Sequence, residues 1–331
     1  MRILVTGAAG FLGYHLCSRL LDDGHQVVGL DNLLTGQRIN AESLSQRPDF
    51  SFISADLCTL TDPATVRSLG LDPATGRFDQ VYNMACPASP IDFRDLGIEI
   101  IQVCCNGTLA ALQIARDHGA AFLQASTSEC YGDPQVHPQT EDYFGNVNCT
   151  GPRAVYDEGK RLAEAMTMYF HRKHGLNTHL VRIFNTYGPR MRPNDGRALP
   201  AFINQALLGQ PLTVHGQGQQ TRSFCYCTDL IDGIVRLNAS SEHLPVNIGN
   251  PDEVKIIDVA QEVIEAVAAL TGRRSEIAFH ERMQDDPELR RPDISKAARL
   301  LGWTPRVRRA EGLTRTVEWF ASQMQDAQPT R

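Results

Sequence analysis

The sequence predicts an α/β fold, a doubly wound parallel sheet followed by a smaller C-terminal ligand-binding lobe. Three observations predict it. Short runs rich in β-branched residues alternate with amphipathic stretches through the first half of the chain. A glycine-rich turn joins the first such run to the first amphipathic stretch. After Pro189 the rhythm breaks into loops rich in glycine, proline and arginine, with short helices between them.

Taken in order, Ile3–Thr6, Val27–Leu30, Phe50–Ser54, Gln80–Met84 and Ala121–Ala125 read as strands, and Thr178–Phe184 as a further one. Phe11–Asp22, Ile98–His118 and Arg153–His174 carry the helical spacing of apolar residues. In the second half Leu199–Leu208 and Ile256–Leu270 do the same. The expected organisation is a first domain over residues 1–188, rejoined by residues of about 223–250, and a lobe over 189–324 that covers the carboxyl ends of the strands. Residues 325–331 read as a flexible tail.

Composition narrows the function classes. The 331 residues are 42% hydrophobic and 21% charged, which suits a globular chain with a sizeable core. A net charge of -6 with scattered basic residues speaks against a nucleic-acid surface. No apolar run is expected to span a membrane, and no secretory signal precedes the strand at Arg2–Thr6, so a cytoplasmic location is expected. Nine cysteines occur without a CxxC pair or a histidine cluster. Adjacent Cys104 and Cys105 point in different directions on a helix, while Cys225 and Cys227 share one face of an expected strand. Reduced, buried thiols and no metal site are the expectation.

Thr6-Gly7-Ala8-Ala9-Gly10-Phe11-Leu12-Gly13 follows a strand and opens a helix. The glycines permit a tight turn, close approach of a pyrophosphate and close helix–sheet packing, and a helix N-terminus favours phosphate charge. Asp31 closes the second strand about 20 residues on, placed to accept hydrogen bonds from ribose hydroxyls and to repel a 2′-phosphate. This is a Rossmann-type dinucleotide site that favours NAD over NADP. Downstream, Tyr156 and Lys160 stand four apart on one helical face. Such pairs are usually a half-buried ring beside a solvated charge. Near a bound dinucleotide, however, the ammonium can lower the phenol pKa and make a general base for an alcohol.

The Gly7-x2-Gly10-x2-Gly13 spacing with distant Tyr156 and Lys160 resembles the extended short-chain dehydrogenase/reductase family, from Met1 to about residue 320. Within that family the segment Thr127-Ser128-Glu129 after the fifth strand is similar to that of UDP-glucuronic acid decarboxylases, or UDP-xylose synthases. So are Cys86-Pro87-Ala88-Ser89-Pro90, Tyr156–Arg161, Arg182–Met191, Asn194-Asp195-Gly196-Arg197, Gln220–Phe224, Asp285-Asp286-Pro287 and Arg290–Ile294.

The resemblance implies C4 oxidation of UDP-glucuronic acid, loss of CO2 from the 4-keto sugar and re-reduction to UDP-xylose. Tyr156, helped by Lys160, takes the C4 hydroxyl proton and Thr127 orients that hydroxyl. Ser128, Glu129 and Arg290 are implied in the decarboxylation stage, where a guanidinium can steer the carboxylate or a proton donor and Glu129 with Ser128 can manage protons at C5, the division between Glu129 and Arg290 staying open. Gly7, Gly10, Phe11, Leu12, Gly13, Asp31, Asn32, Thr35, Gly36, Asp56, Leu57 and Ala85 are expected along NAD, together with Tyr156 and Lys160. Pro87, Glu129, Arg153, Asn185, Arg197, Thr213, Val214, His215, Gln217, Arg222 and Arg290 are expected on the UDP-sugar. A homodimer is implied through the helices Ile98–His118 and Arg153–His174.

The chain departs from the family pattern at Gln102, where lysine is usual, at Cys104 for asparagine, at Cys86 for serine and at His215 for tyrosine. Release of UDP-4-keto-pentose, formation of a branched pentose, and 4-epimerisation of the uronate stay open at this stage.

Overall fold

The computed structural model describes residues 1–281 and 289–326. The Asp285-Asp286-Pro287 motif lies outside the described residues.

Six strands, β1 (Arg2–Thr6), β2 (Gln26–Asp31), β3 (Phe50–Ser54), β4 (Gln80–Asn83), β5 (Ala121–Thr127) and β6 (Thr178–Ile183), join Val246–Ile248 in one seven-stranded sheet. Its order is β3-β2-β1-β4-β5-β6 and then Val246–Ile248, and every pairing is parallel. Nearly all residues of β1 are buried, the pattern of a strand covered on both faces. Strand order reverses between β1 and β4, and that reversal opens a crevice at their carboxyl ends.

Each face has its own core. On one, Leu16 and Leu20 of helix Phe11–Asp22 pack with Leu230, Ile234 and Leu237 of helix Cys227–Asn238 and with Trp303. On the other, Ala111, Leu112 and Ala115 pack with Phe78, Phe122 and Phe170. A third core, with Phe202, Ile203, Val214, Val259, Val263 and Phe320, holds the C-terminal helices together. Burying side chains of this size stabilises each site by about 1.5–3 kcal/mol. The loops of this part are pinned by a parallel ribbon, Leu212–His215 with Ile277–His280, and an antiparallel one, Thr221–Ser223 with Glu253–Lys255.

Several expectations need correction. The helix expected at Ile98–His118 runs from Gly97 to His118 but contains a π-helical turn, Val103–Gly107. Its length and mean hydropathy of 1.4 also meet the requirement for a membrane crossing, contrary to the reading of the sequence. Half of that stretch is buried against the protein. Cys227 does not extend a strand with Cys225; it opens helix Cys227–Asn238. Cys149 is exposed rather than buried. The final helix runs Arg309–Asp326, so the chain is still helical at the expected start of the tail, and residues 327–331 lie outside the described residues.

Candidate active site

The glycine turn is built by close approach. Gly7 has φ +70°, and a Cβ there would lie 2.8 Å from the Ala85 backbone. A Cβ on Gly13 would collide with the Gly7 carbonyl. Gly10 caps helix Phe11–Asp22 without a side-chain hydrogen bond, so no side chain competes for the cap amides. Asp31 ends β2, buried, with its carboxylate accepting from Ala9 N at 3.0 Å and Leu33 N at 2.8 Å. Burial raises its pKa against the lowering effect of those two amides.

A cavity of about 110 Å³ lies beside this turn. Asp31, Asn32, Thr35, Gly36, Asp56, Leu57 and Ala85 form its wall, all expected on the cofactor. Asp56 also caps the turn Leu57–Thr61 through Cys58 N at 2.8 Å. Pro87, expected on the sugar, belongs to this smaller cavity instead. A backbone cradle with no room for a Cβ, an uncapped helix start and a buried carboxylate at the second strand fit a dinucleotide without a 2′-phosphate.

A larger cavity of about 490 Å³ shares Gly7, Gly10, Thr35, Met84 and Cys86 with the smaller one. Phe11, Leu12 and Gly13 form its floor at the helix start. Thr127, Ser128 and Glu129 enter from the end of β5, and Arg153, Tyr156 and Lys160 from helix Ala154–His174 and its N-cap. Lys160 Nζ donates to the Ala125 carbonyl at 3.0 Å and stands 5.8 Å from the Tyr156 ring centroid. Phe93 stacks on Tyr156 with centroids 4.7 Å apart. The expectation of a lowered phenol pKa is not met by the protein's own groups. Burial pushes Tyr156 well above its ordinary value and nearby Cys86 and Glu129 add to this, against a Thr127 hydrogen bond.

Glu129 is the electrostatic hub. It pairs with Arg153 and accepts from both amino groups of Arg290, at 2.9 Å from Nη2. Burial alone would raise its pKa, but Arg290 and then Arg153 outweigh burial and hold it at about 2. Glu129 is therefore an anion at neutral pH in this arrangement, the counter-ion of two guanidiniums. Behind it, Asp157 is raised to about 7 by burial and by the charge of Glu129, partly offset by Arg153.

Asn185, Arg197, Thr213, His215, Arg222 and Arg290 reach the wall of the larger cavity as expected. Val214 does not; strand alternation turns its side chain into the third core. Gln217 is exposed outside the wall, and Gln220 lines it instead. Reading the sequence missed an ionic brace: Arg192 donates to Asp92 at 2.6 Å, Arg197 pairs with Asp195 with Nη2 at 2.8 Å, and Ser89 donates to the Asp195 carbonyl. It also missed Phe93. The available signal was Ser89-Pro90, a helix start that places Asp92 and Phe93 on the first turn of Pro90–Asp95.

A dinucleotide crevice at the switch point, continuous with a tyrosine–lysine–threonine cluster, defines an enzyme of the extended short-chain dehydrogenase/reductase type. More narrowly, the chain belongs to the NAD dependent epimerase/dehydratase family, whose sequence pattern matches residues 3–249. It is 46% identical over 324 residues to UDP-glucuronic acid decarboxylase 1 of Danio rerio, covering 98% of this chain and 73% of that one. It is 46% identical over 321 residues to UDP-glucuronic acid decarboxylase 6 of Arabidopsis thaliana, covering 97% of this chain and 89% of the relative. Among solved structures it is similar to a UDP-glucuronic acid 4-epimerase from Bacillus cereus in complex with UDP-glucuronic acid and NAD. There the TM-score is 0.83 at 28% identity, over 98% of this chain and all of that one.

Proposed function

We propose that this protein converts UDP-glucuronic acid to UDP-xylose by NAD-dependent decarboxylation. The observation that carries the reading is the buried Arg153–Glu129–Arg290 cluster facing Tyr156 across one cavity. The similarity to UDP-glucuronic acid decarboxylases over 97–98% of this chain supports it.

Gly7, Gly13, Asp31 and the start of helix Phe11–Asp22 would hold NAD. When bound, NAD supplies a reversible two-electron acceptor for sugar C4. Tyr156 Oη accepts the C4 hydroxyl proton; Lys160 and the positive charge brought by the cofactor favour the phenolate that burial alone opposes. Thr127 holds that hydroxyl in line. The resulting 4-ketone makes the sugar a β-keto acid, so the bond to the carboxylate can break with its electrons moving onto the ketone oxygen. Tyr156 and Thr127 can stabilise that developing enolate by hydrogen bonding.

Arg290 and Arg153 attract the substrate carboxylate. An arginine that held it without competition would stabilise the ground state more than the transition state, where the charge is leaving the carboxylate. Glu129 already occupies both guanidiniums and so limits that hold. This gives Glu129 a role as counter-ion, and the same pair screens the incoming charge.

The test is to incubate the pure protein with UDP-glucuronic acid and NAD, and to identify the sugar nucleotide while trapping CO2. UDP-xylose with equimolar CO2 is expected. A uronate epimer with no CO2 would overturn the decarboxylase reading, and UDP-4-keto-pentose as sole product would overturn the final reduction.

We also propose a homodimer through helices Gly97–His118 and Ala154–His174. Ile98, Ile101, Leu162 and Tyr169 are exposed on them at 66%, 46%, 44% and 54%, an apolar load that suits an interface. A monomer by light scattering at micromolar concentration overturns this.

A further inference from the structure

The wall between the two cavities contains a feature the reaction does not use. Cys86, at the carboxyl end of β4, and Cys104, in the π-helical turn Val103–Gly107, place their sulfurs 3.7 Å apart. Cys86 is half-buried and lines both cavities, while Cys104 is 2% exposed. We propose that Cys86 and Cys104 form an oxidisable dithiol, a modification site in the cavity wall for peroxide-class two-electron oxidants, whose disulfide displaces Tyr156 and stops turnover.

The chemistry is balanced by peroxide alone. The Cys86 thiolate attacks one peroxide oxygen, the O–O bond breaks to give a sulfenic acid and hydroxide, and the hydroxide takes up the proton that Cys86 released and leaves as one water. The Cys104 sulfur then attacks the Cys86 sulfur. The hydroxyl leaves with the Cys104 proton as a second water, so two thiols lose two electrons and peroxide gains them. Exposure sets the order, because an oxidant in the cavity meets Cys86 first and Cys104 lies behind it. The thiolate is also favoured at Cys86. Its hydrogen bond from Cys104 lowers its pKa, burial opposes this, and the Lys160 charge lowers it further. Cys58 differs: burial and the neighbouring Asp56 push its thiol up to about 12.

The consequence for activity follows from packing. Cys104 belongs to a small buried cluster with Tyr156, Phe93 and Ile100. It also fills the space over Gly159, where an added Cβ would lie 3.2 Å from both Cys104 Cβ and Sγ. A disulfide requires the sulfurs to close to about 2.05 Å. That movement repacks the small cluster in which Cys104 and Cys86 lie against Tyr156. Misplacing a reacting group by about 1 Å costs roughly 100-fold in rate.

The cross-link itself is independent of which sugar is used; only the activity consequence rests on the decarboxylase reading. The experiment treats the full chain with stoichiometric hydrogen peroxide, with and without saturating NAD. Readouts are intact mass, peptide mapping without reduction, and turnover before and after dithiothreitol, each variant referred to its own reduced activity. Expected results are loss of two hydrogens in a Cys86–Cys104 peptide, roughly 100-fold lower turnover restored by dithiothreitol, and slower cross-linking with NAD present. Cys86→Ser and Cys104→Ser, made separately in case one folds poorly, should each abolish this reversible response, and Cys58→Ser should keep it. The proposal is overturned if no such peptide forms, if it forms with turnover retained, or if both serine variants lose activity as the unmodified chain does. Absence of decarboxylation in the reduced protein would defeat the functional reading alone, since the mass and NAD-protection readouts still decide the dithiol.

Discussion

Arg290 grips Glu129 across 161 residues of sequence, one guanidinium against both oxygens of one carboxylate. Removing Glu129 takes from Arg290 its buried counter-charge, a loss of about 3–5 kcal/mol, whereas removing Arg290 leaves Glu129 with Arg153 and less of its compensation. Arg290→Ala should therefore lower both stability and turnover. Glu129→Gln keeps the shape but removes the charge that competes with the substrate carboxylate for Arg290. Its apparent KM should fall or hold while kcat drops by roughly 100-fold or more. Steady-state kinetics with UDP-glucuronic acid checks the split; equal losses in both variants, with KM raised in each, would sink the counter-ion role.

The same pair has a pH signature. The folded-state pKa of Glu129, about 2, lies below its ordinary value of 4.5. The pair's stabilisation is thus present above the unfolded value and lost as pH falls from about 4.5 toward 2. Thermal melts of the unmodified chain and Glu129→Gln should converge across that window. No limb of the activity profile above pH 5 should belong to Glu129.

Asp157 runs the other way. Its folded pKa, about 7, lies above the ordinary 3.8, so the native state holds the proton more tightly than the unfolded chain. Raising pH from about 4 to 7 therefore destabilises the protein, by at most about 4 kcal/mol at about 1.4 kcal/mol per pH unit. Asp157→Asn should remove that slope and melt higher than the unmodified chain at pH 8, with little difference at pH 4. Parallel melting curves for the two at all pH values would disprove it.

Tyr156→Phe should abolish turnover by at least about 100-fold. The Phe93 stack involves only the ring, so folding and NAD binding should persist. Calorimetric NAD titration beside a CO2-release assay distinguishes loss of the base from loss of the site.

Gly13→Ala tests the cradle. The new Cβ lands on the Gly7 carbonyl, and backbone on both sides prevents relief by a rotamer change. NAD affinity should fall beyond detection in the same titration, and an intact NAD isotherm would contradict the assignment of this turn.

Much of this architecture was legible in the residues. The first six strands of the sheet, the helix Phe11–Asp22 and the glycine turn depend on local periodicity and on steric limits within a few residues, so they were read nearly to their ends, whereas Val246–Ile248 and the ribbon strands of the second half were not. The misreadings arose where long-range contact decides. Val214 and His215 are neighbours, yet only the sheet's facing sends one into the core and the other to the cavity. Phe93 and the Asp92–Arg192 pair meet the site from a six-residue helix with too little periodicity to announce itself.

By itself, then, the sequence determined the doubly wound sheet, the NAD cradle and the residue types of the tyrosine–lysine–threonine cluster, because each follows from short-range chemistry. Tertiary structure decided their electrical state. Burial raised Tyr156 instead of leaving it lowered, two distant arginines made Glu129 a fixed anion, and the packing of a π-turn brought two thiols together beneath the active tyrosine. Desolvation and Coulomb interactions depend on what surrounds a group in space, and that is set only when residues far apart in the chain have met.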